Sequence, residues 1–222
     1  CVYYKGLHTA IRALRDVPGR LVIIGHGPMR QYLEKLARDL GVADRVTFAG
    51  FATDAQLAGA YLAATALWFP SNARSEAFGL VQIEAMASGC PVINTRIPGS
   101  GVDWVSLHGQ SGLTIPVEDP VALAEAARRL LDEPGLRQRL SRDARRRAMA
   151  EFDQHRMARR TLDVYARVIQ EAQSGGYTTD VMEPPPARLQ RWVRQLGEAD
   201  GSADGSDAVD AASGDPARMA VA

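Results

Sequence analysis

Two glutamates, Glu76 and Glu84, stand eight residues apart on either side of Gly79. Glycine permits a close approach of the backbone to a ligand, and a helix that begins there points its first N–H groups at whatever lies above them. Phosphate binds well at such a helix end, and carboxylates accept hydrogen bonds from paired sugar hydroxyls. The spacing therefore favours a ligand with phosphate in the middle and a sugar at each end. The alternative from the residues alone is an exposed helix glutamate at 84 and a partner of the helix dipole at 76.

Short apolar runs typical of strands alternate with segments of helical spacing around these residues, up to about residue 117. Strands that are apolar throughout are typical of a parallel sheet covered on both faces, and regular alternation with helices predicts a doubly wound α/β fold. Short apolar runs predict strands at residues 20–25, 45–50, 66–69, 91–94 and 112–116, and helical spacing predicts helices at 9–15, 29–40, 53–63 and 79–88.

The loops that follow predicted strands are the places to look for a ligand. In a doubly wound sheet, ligands bind beyond the carboxyl ends of the strands. The loops at residues 25–28, 50–53 and 70–80 all follow predicted strands. We therefore expect them to meet at one edge of the sheet.

The pattern changes past Pro120, where only helices are predicted, at residues 121–131, 136–149 and 154–172. Beyond residue 173 the composition turns to Gly, Ser, Asp and Ala, with too little apolar area to offset the entropy of ordering. We therefore predict a Rossmann-like domain at 1–172 with a C-terminal helical extension, and a low-complexity, mostly disordered tail at 173–222.

Composition excludes several classes of partner and location. The 222 residues carry 26 basic and 26 acidic side chains, a balance that argues against nucleic acid as a partner. Cys1 and Cys90 form neither a disulfide framework nor a metal-ligand spacing, and no apolar run approaches the ~20 residues of a membrane span. We expect a cytoplasmic protein. The chain starts with Cys1 inside an apolar run, so we also expect further sequence upstream.

The stretch SEAFGLVQIEAMASGCPVINT, residues 75–95, resembles the Glu-x7-Glu signature of retaining glycosyltransferases of family 4, which have the GT-B fold. The similarity runs through most of residues 2–170. It includes VYYKG at 2–6, VIIGHGP at 22–28, RVTFAGF at 45–51, PS at 70–71 and SGLT at 111–114. The resemblance implies the C-terminal, nucleotide-sugar-binding half of a two-domain enzyme.

Carried over residue by residue, the resemblance assigns two catalytic residues. Lys5 would neutralise the diphosphate of the donor, and Glu76 would contact hydroxyls of the transferred sugar. The backbone N–H groups of Phe78, Gly79 and Leu80 would hold that sugar and the diphosphate. The leaving group would then be stabilised by a lysine and a helix end.

The same resemblance implies the rest of the donor site. Glu84 would accept the two ribose hydroxyls. Gly25 and Gly27 would line the diphosphate cleft, and the chain at Phe51 and Ala52 would border the base. The sequence contains no Asp-x-Asp pair, so we expect neither a metal nor any other cofactor.

The implied function is transfer of a sugar, with mannose as a candidate, from a GDP- or UDP-linked donor to a glycan or lipid-linked acceptor. Family members carry an arginine ahead of the run that ends in Lys5, and an acceptor domain upstream of it. The chain begins after both, so we expect it to bind donor but to turn it over poorly. Residues 98–104 also depart from the family's usual Gly-Gly and Glu. Acceptors that are lipid-linked leave open peripheral contact with the inner face of a membrane.

Two alternatives remain from the sequence. The chain is a non-catalytic nucleotide-sugar-binding module, or it comes from a sugar-nucleotide epimerase of the GT-B fold. A phosphorylase is disfavoured, because such enzymes keep a late lysine for pyridoxal phosphate and no lysine follows Lys35.

Overall fold

The computed structural model describes residues 1–174 and 219–222. The strands are β1 (Arg20–Ile24), β2 (Val46–Gly50), β3 (Ala66–Phe69), β4 (Val92–Arg96), β5 (Gly112–Pro116) and β6 (Met219–Val221). The helices are α1 (Leu7–Leu14), α2 (Arg30–Asp39), α3 (Asp54–Ala63), α4 (Leu80–Ala87), α5 (Val102–Val105), α6 (Pro120–Asp132), α7 (Pro134–Glu151) and α8 (Gln154–Ser174). Short 3-10 helices cover Tyr3–Lys5 and Ala43–Arg45.

The strands of the described ranges form one parallel sheet in the order β2-β1-β6-β3-β4-β5. Leu67 lies opposite Val92 in the β3–β4 pair, and Val92 lies opposite Gly112 in the β4–β5 pair. This topology confirms the predicted doubly wound, Rossmann-like α/β fold. It also brings the carboxyl ends of β1, β3 and β4 to one edge, as parallel pairing requires.

Helices cover both faces of the central strands. Trp68 and Ile93 belong to a buried apolar cluster that includes residues of α1, α2, α6 and α7. Leu67 and Val92 point to the opposite face, since neighbouring side chains of a strand alternate. They are also buried, on the side where α4 packs against β3 and β4. The predicted double coverage is therefore confirmed at the centre of the sheet.

Coverage is incomplete at the edge strand β2, where Thr47 and Ala49 are exposed. Fewer elements reach an edge strand than a central one, and an apolar run alone does not reveal a strand's place in the sheet. Helix α5 was not predicted either, because four residues make about one turn and show no period.

The C-terminal end differs most from the sequence-based expectation. Helix α8 continues to Ser174, and the last residues form β6, a strand placed between β1 and β3. Ala220 and Val221 are buried there. A three-residue apolar run is too short to show a period of two, so no pattern in the sequence separates it from the predicted tail. Residues 175–218 lie outside the described residues, and their predicted disorder stays a prediction.

Contacts within the chain divide it into two units. One comprises Cys1–Ala150 with Asp215–Ala222, and the other begins at Glu151 and contains α8. In the second unit, Arg160 forms an ion pair with Glu151 at 3.0 Å. The domain boundary predicted at residue 172 stays a prediction. None of the helices in the described part of the chain is long and apolar enough to cross a membrane.

Burial of β6 can be tested by placing a charge in it. Val221→Asp should lower the free energy of unfolding by more than about 2 kcal/mol, because a carboxylate would be buried without a partner. Val121→Asp is the matched control: Val121 is 61% exposed in the first turn of α6, so its loss should stay within about 0.5 kcal/mol. Urea unfolding of both variants measures the difference. Equal stabilities would show that β6 is not part of the core.

Candidate functional site

A buried ion pair joins two of the residues that the sequence named. The Lys5 ammonium donates to Glu76 Oε2, and Ser71 Oγ donates to the same oxygen at 3.3 Å. Glu76 is only 8% exposed, and the Lys5 nitrogen lies 5.2 Å from the centroid of the Phe69 ring. Because removing a carboxylate from water is costly unless it is paired, Lys5 is what makes this position of Glu76 stable.

The loop at residues 70–79 is anchored from two sides. The backbone N–H of Asn72 donates to the Tyr4 carbonyl at 2.9 Å, which ties the loop to the 3-10 helix that ends in Lys5. On the other side, Ser100 Oγ donates to the Glu76 carbonyl at 2.6 Å. The loop therefore holds Glu76 against Lys5 through backbone bonds as well as through the ion pair.

Two glycines allow this arrangement because backbone passes very close to the end of β3. Gly6 has a φ of 65°, and a Cβ placed on it would lie 1.9 Å from the Pro70 carbonyl oxygen. Gly79, the residue before α4, has a φ of 81°, and its Cβ would lie 2.6 Å from Phe69 Cζ. From the sequence, Gly79 is expected to let the backbone approach a ligand closely. The structure shows a second reason, the Phe69 ring beneath it.

A buried amide pair fixes the orientation of α4. Asn94 Nδ2 donates to Gln82 Oε1 at 3.0 Å and to the carbonyl oxygens of Val102 and Ser106 at 3.0 and 3.1 Å. Gln82 Nε2 donates to the Phe78 carbonyl at 2.9 Å. Both side chains are fully buried. Since buried amides are costly to leave unpaired, this network locks the first turn of α4 to β4 and to the two ends of α5.

Glu84 lies on the exposed side of α4, and Tyr61 of α3 orients it. The Tyr61 hydroxyl donates to Glu84 Oε2 at 3.4 Å. Burial, and then the charge of Glu84, raises the pKa of Tyr61. The phenol therefore stays protonated and remains a donor to the carboxylate across the physiological pH range.

Two adjoining cavities contain these groups. One, of about 360 Å³, is lined by Lys5 and Gly25, and the other, of about 320 Å³, is lined by Glu84. Leu57 and Tyr61 line both. The two glutamates thus do not face a single hollow. Glu76 lies behind Lys5 at the first cavity, and Glu84 borders the second.

The two glycines after β1 have different surroundings. Gly25 has a φ of 117° and open space where a Cβ would stand, so backbone is exposed to the first cavity. A Cβ on Gly27 would lie 2.2 Å from the Cys1 carbonyl oxygen. Gly27 therefore packs against Cys1, and its implied place in the diphosphate cleft stays a prediction.

The remaining site residues lie at the rim. Phe51 is 87% exposed, with its ring 4.5 Å from that of His26, which also lines the first cavity, and Ala52 is half-buried. Leu80 is exposed, and the Phe78 ring lies 6.1 Å from that of Trp104. Their side chains do not enter the cavities, which leaves the implied role of the Phe78 and Leu80 backbone amides as a prediction.

Comparison with known proteins places this geometry in a family. Residues 1–147 match the family model described as glycosyl transferases group 1. The chain belongs to this family. The D-rhamnosyltransferase WbpZ of Pseudomonas aeruginosa is 36% identical over 145 residues, which cover 65% of this chain and 38% of that protein.

Solved structures of similar fold agree with the group 1 assignment. Sucrose-phosphate synthase from Thermosynechococcus elongatus superposes with a TM-score of 0.68 at 32% identity, over 76% of this chain and 43% of that one. Anabaena HepE in complex with UDP gives a TM-score of 0.67 at 25% identity, over 75% and 46%. The chain therefore spans less than half the length of these group 1 relatives and structural neighbours.

Sequence reasoning missed several residues that shape the site of this family member. Tyr61, which orients Glu84, carries no local signal in its helix. Asn94 did offer one, because a polar amide inside a predicted buried strand needs buried partners. In residues 1–174 and 219–222, no group of three His, Cys, Asp or Glu is placed to hold a metal ion. The predicted absence of a metal cofactor stays a prediction.

The contact between Gly79 and Phe69 gives a stability test. Gly79→Ala should lower the free energy of unfolding by about 2 kcal/mol or more, from backbone strain at positive φ and from overpacking against the ring. Adding Phe69→Leu to this variant should restore the part of the stability lost to overpacking, while the part lost to backbone strain should remain.

Gly59→Ala is the control for the same change of side chain. Gly59 lies inside α3 with open space around its Cβ, so this variant should gain about 0.5–1 kcal/mol. Urea denaturation shows whether the free energy of unfolding of each variant falls or rises relative to the wild type. A neutral Gly79→Ala variant would contradict the packing described here.

Proposed function

We propose that this chain is the donor-binding part of a retaining glycosyltransferase that uses a nucleotide-diphospho-sugar. The observation that carries the proposal is the Lys5–Glu76 pair at one cavity, next to a second cavity bordered by Glu84. Membership of the glycosyl transferases group 1 family supports it. A cation and a carboxylate on neighbouring walls suit a ligand with a central diphosphate and sugars at both ends.

The nucleoside end of the donor is assigned to the Glu84 cavity. The Glu84 carboxylate is exposed and oriented by Tyr61, so it is ready to accept two hydroxyl groups of a ribose. The HepE structure that superposes on this chain contains UDP, which supports a nucleoside diphosphate as the ligand class. Phe51 and Ala52 would border the base, in the proposed placement.

The diphosphate is assigned to Lys5 and to the amino end of α4. The first N–H groups of a helix have no partner within the helix, and they carry partial positive charge. In the structure the Lys5 ammonium is bound to Glu76. On donor binding we propose that the ammonium turns to the diphosphate and leaves Glu76 to accept hydroxyls of the transferred sugar.

The reaction would then proceed without a metal. Departure of the diphosphate would put negative charge on its oxygens, and in this proposal Lys5 and the amides of Phe78, Gly79 and Leu80 stabilise that charge. The sugar, with mannose as the first candidate, passes to a glycan or lipid-linked acceptor with its configuration retained. We place this reaction in the cytoplasm, at the inner face of a membrane where the acceptor is lipid-linked.

Calorimetric titration of the 222-residue chain with UDP and with GDP, in the presence of a metal chelator, tests the proposed donor site. We expect one of them to bind, and Glu84→Ala to raise its dissociation constant about tenfold, since a lost charged hydrogen-bond pair costs about 1.5–3 kcal/mol. Glu84→Gln keeps an acceptor for Tyr61 and should lose less. Glu125→Ala, an exposed carboxylate of α6, is the control. No binding of either nucleotide to the folded chain would refute the proposal.

The proposed roles of Lys5 and Glu84 can be distinguished by comparing how a nucleoside diphosphate and a nucleoside monophosphate bind. Lys5→Ala should weaken binding of the nucleoside diphosphate by about tenfold and of the monophosphate by much less, because its proposed contact is with the diphosphate. Glu84→Ala should weaken both equally. Lys35→Ala, in an exposed pair with Asp39, is the matched lysine control. Equal losses for both nucleotides in Lys5→Ala would contradict its assignment.

A further inference from the structure

A second polar cluster lies beside the Lys5–Glu76 pair, centred on Glu118. Its Oε1 accepts from the Tyr3 hydroxyl at 3.2 Å and from Asn72 Nδ2 at 2.9 Å, and His8 Nε2 lies 3.9 Å away. The contact with Glu118 raises the pKa of Tyr3, so this phenol stays a donor. Three segments distant in sequence thus converge on one carboxylate oxygen. In the described part of the chain, Oε2 has no hydrogen-bond partner.

The backbone at Glu118 is unusual for a residue with a side chain. Its φ is 55°, and it is the one residue other than glycine with positive φ in the described ranges. Such a conformation costs about 1 kcal/mol or more relative to glycine. A glycine would fit this turn better, so the strain is offset by what the side chain does.

The cluster presents an aromatic face and a carboxylate to solvent. Tyr3 is 60% exposed, and the Glu118 side chain is 53% exposed. The Tyr3 ring stacks on the buried His8 ring, with centroids 5.3 Å apart and planes at 14°. His8 therefore supports one face of Tyr3 and holds the ring rigid, while the rest of the ring is accessible. An amphipathic ring beside hydrogen-bonding groups suits a ligand with both apolar C–H faces and hydroxyls.

The position of the cluster connects it to the proposed donor site. Tyr3 and Lys5 belong to the same 3-10 helix. Asn72 is next to Ser71, whose hydroxyl binds Glu76. A group bound at Glu118 would therefore lie beside the carboxylate to which the transferred sugar is assigned.

We infer that Tyr3, Asn72 and Glu118 form a subsite for a sugar unit of the glycosyl acceptor. The inference rests on the proposed function, because it takes the transferred sugar to be at Glu76. Sugar C–H groups pack on the exposed ring of Tyr3, and two hydroxyls donate to Glu118 Oε2. The negative charge of Glu118 disfavours phosphate here, which separates this subsite from the diphosphate position at Lys5.

Amide chemical shifts of the ¹⁵N-labelled 222-residue chain test the subsite. The probes are methyl glycosides of mannose, glucose, galactose and rhamnose at up to about 100 mM, since single sugar units bind in the millimolar range. We expect shifts at Tyr3, Asn72 and Glu118. Tyr3→Ala and Glu118→Gln should each raise the dissociation constant at least fivefold, and Tyr32→Ala, another exposed tyrosine, should not change it. No shift with any glycoside, or shifts at residues 76–80 alone, overturns the subsite.

A parallel titration with UDP and GDP separates this inference from the proposed function. Sugar shifts without nucleotide shifts would show that the cluster binds a sugar, but they would refute the donor role and with it the assignment of that sugar to the acceptor. Tyr3→Ala should leave nucleotide affinity unchanged. If it weakens sugar and nucleotide by the same factor, the cluster is a structural clamp and the inference fails.

Glu118→Gly distinguishes function from structure directly. It relieves the positive-φ strain and removes the carboxylate. We expect its thermal midpoint to equal or exceed that of the wild type while sugar-induced shifts are lost. A midpoint lowered by several degrees would show that Glu118 serves the fold, and it would overturn the inference.

Discussion

The buried carboxylate of Glu76 is the constraint on which the site depends. A carboxylate that is 8% exposed is costly to bury without a partner, and Lys5 supplies a cation from 71 residues earlier in the sequence. That requirement fixes the 3-10 helix against the end of β3 and the loop at 70–79 above it. The backbone bonds from Asn72 and Ser100 then hold the loop in place. These bonds restrict the loop that carries Glu76, which lowers the entropy that binding at the proposed site must offset.

Close packing at the end of β3 explains why glycine occurs on both sides of this pair. Gly6 rests on the Pro70 carbonyl and Gly79 on the Phe69 ring, each at a left-handed φ. A glycine that is expected from the sequence to leave space for a ligand here also leaves space for the protein's own packing. The two uses are compatible, because the Cβ of Gly79 would point to Phe69 while its N–H belongs to the amino end of α4.

The sequence predicted the elements whose pattern repeats and missed those that depend on contacts. Strands β1 to β5 and helices α1 to α4 were predicted to within about two residues, because apolar runs and helical spacing are local. Lys5, Glu76 and Glu84 were found through their likeness to a family motif. Tyr61, Gln82 and β6 were missed, because their roles arise from neighbours distant in sequence. The packing of Gly27 against Cys1 is another contact that no local pattern indicates.

The arrangement of the two cavities constrains how one ligand can occupy them. They share Tyr61 and Leu57 as lining residues, so a molecule that reaches from Glu84 to Lys5 would pass these side chains. In the proposed placement, a ribose at Glu84 would direct its phosphates toward Lys5 and Gly25, and the attached sugar toward Glu76. The next group along that line is the Tyr3–Glu118 cluster, joined to the same loop through Asn72. The proposed order of ribose, diphosphate, transferred sugar and acceptor sugar is consistent with these contacts, because the lysine lies at the position proposed for the diphosphate and the carboxylates lie at the positions proposed for sugar hydroxyls.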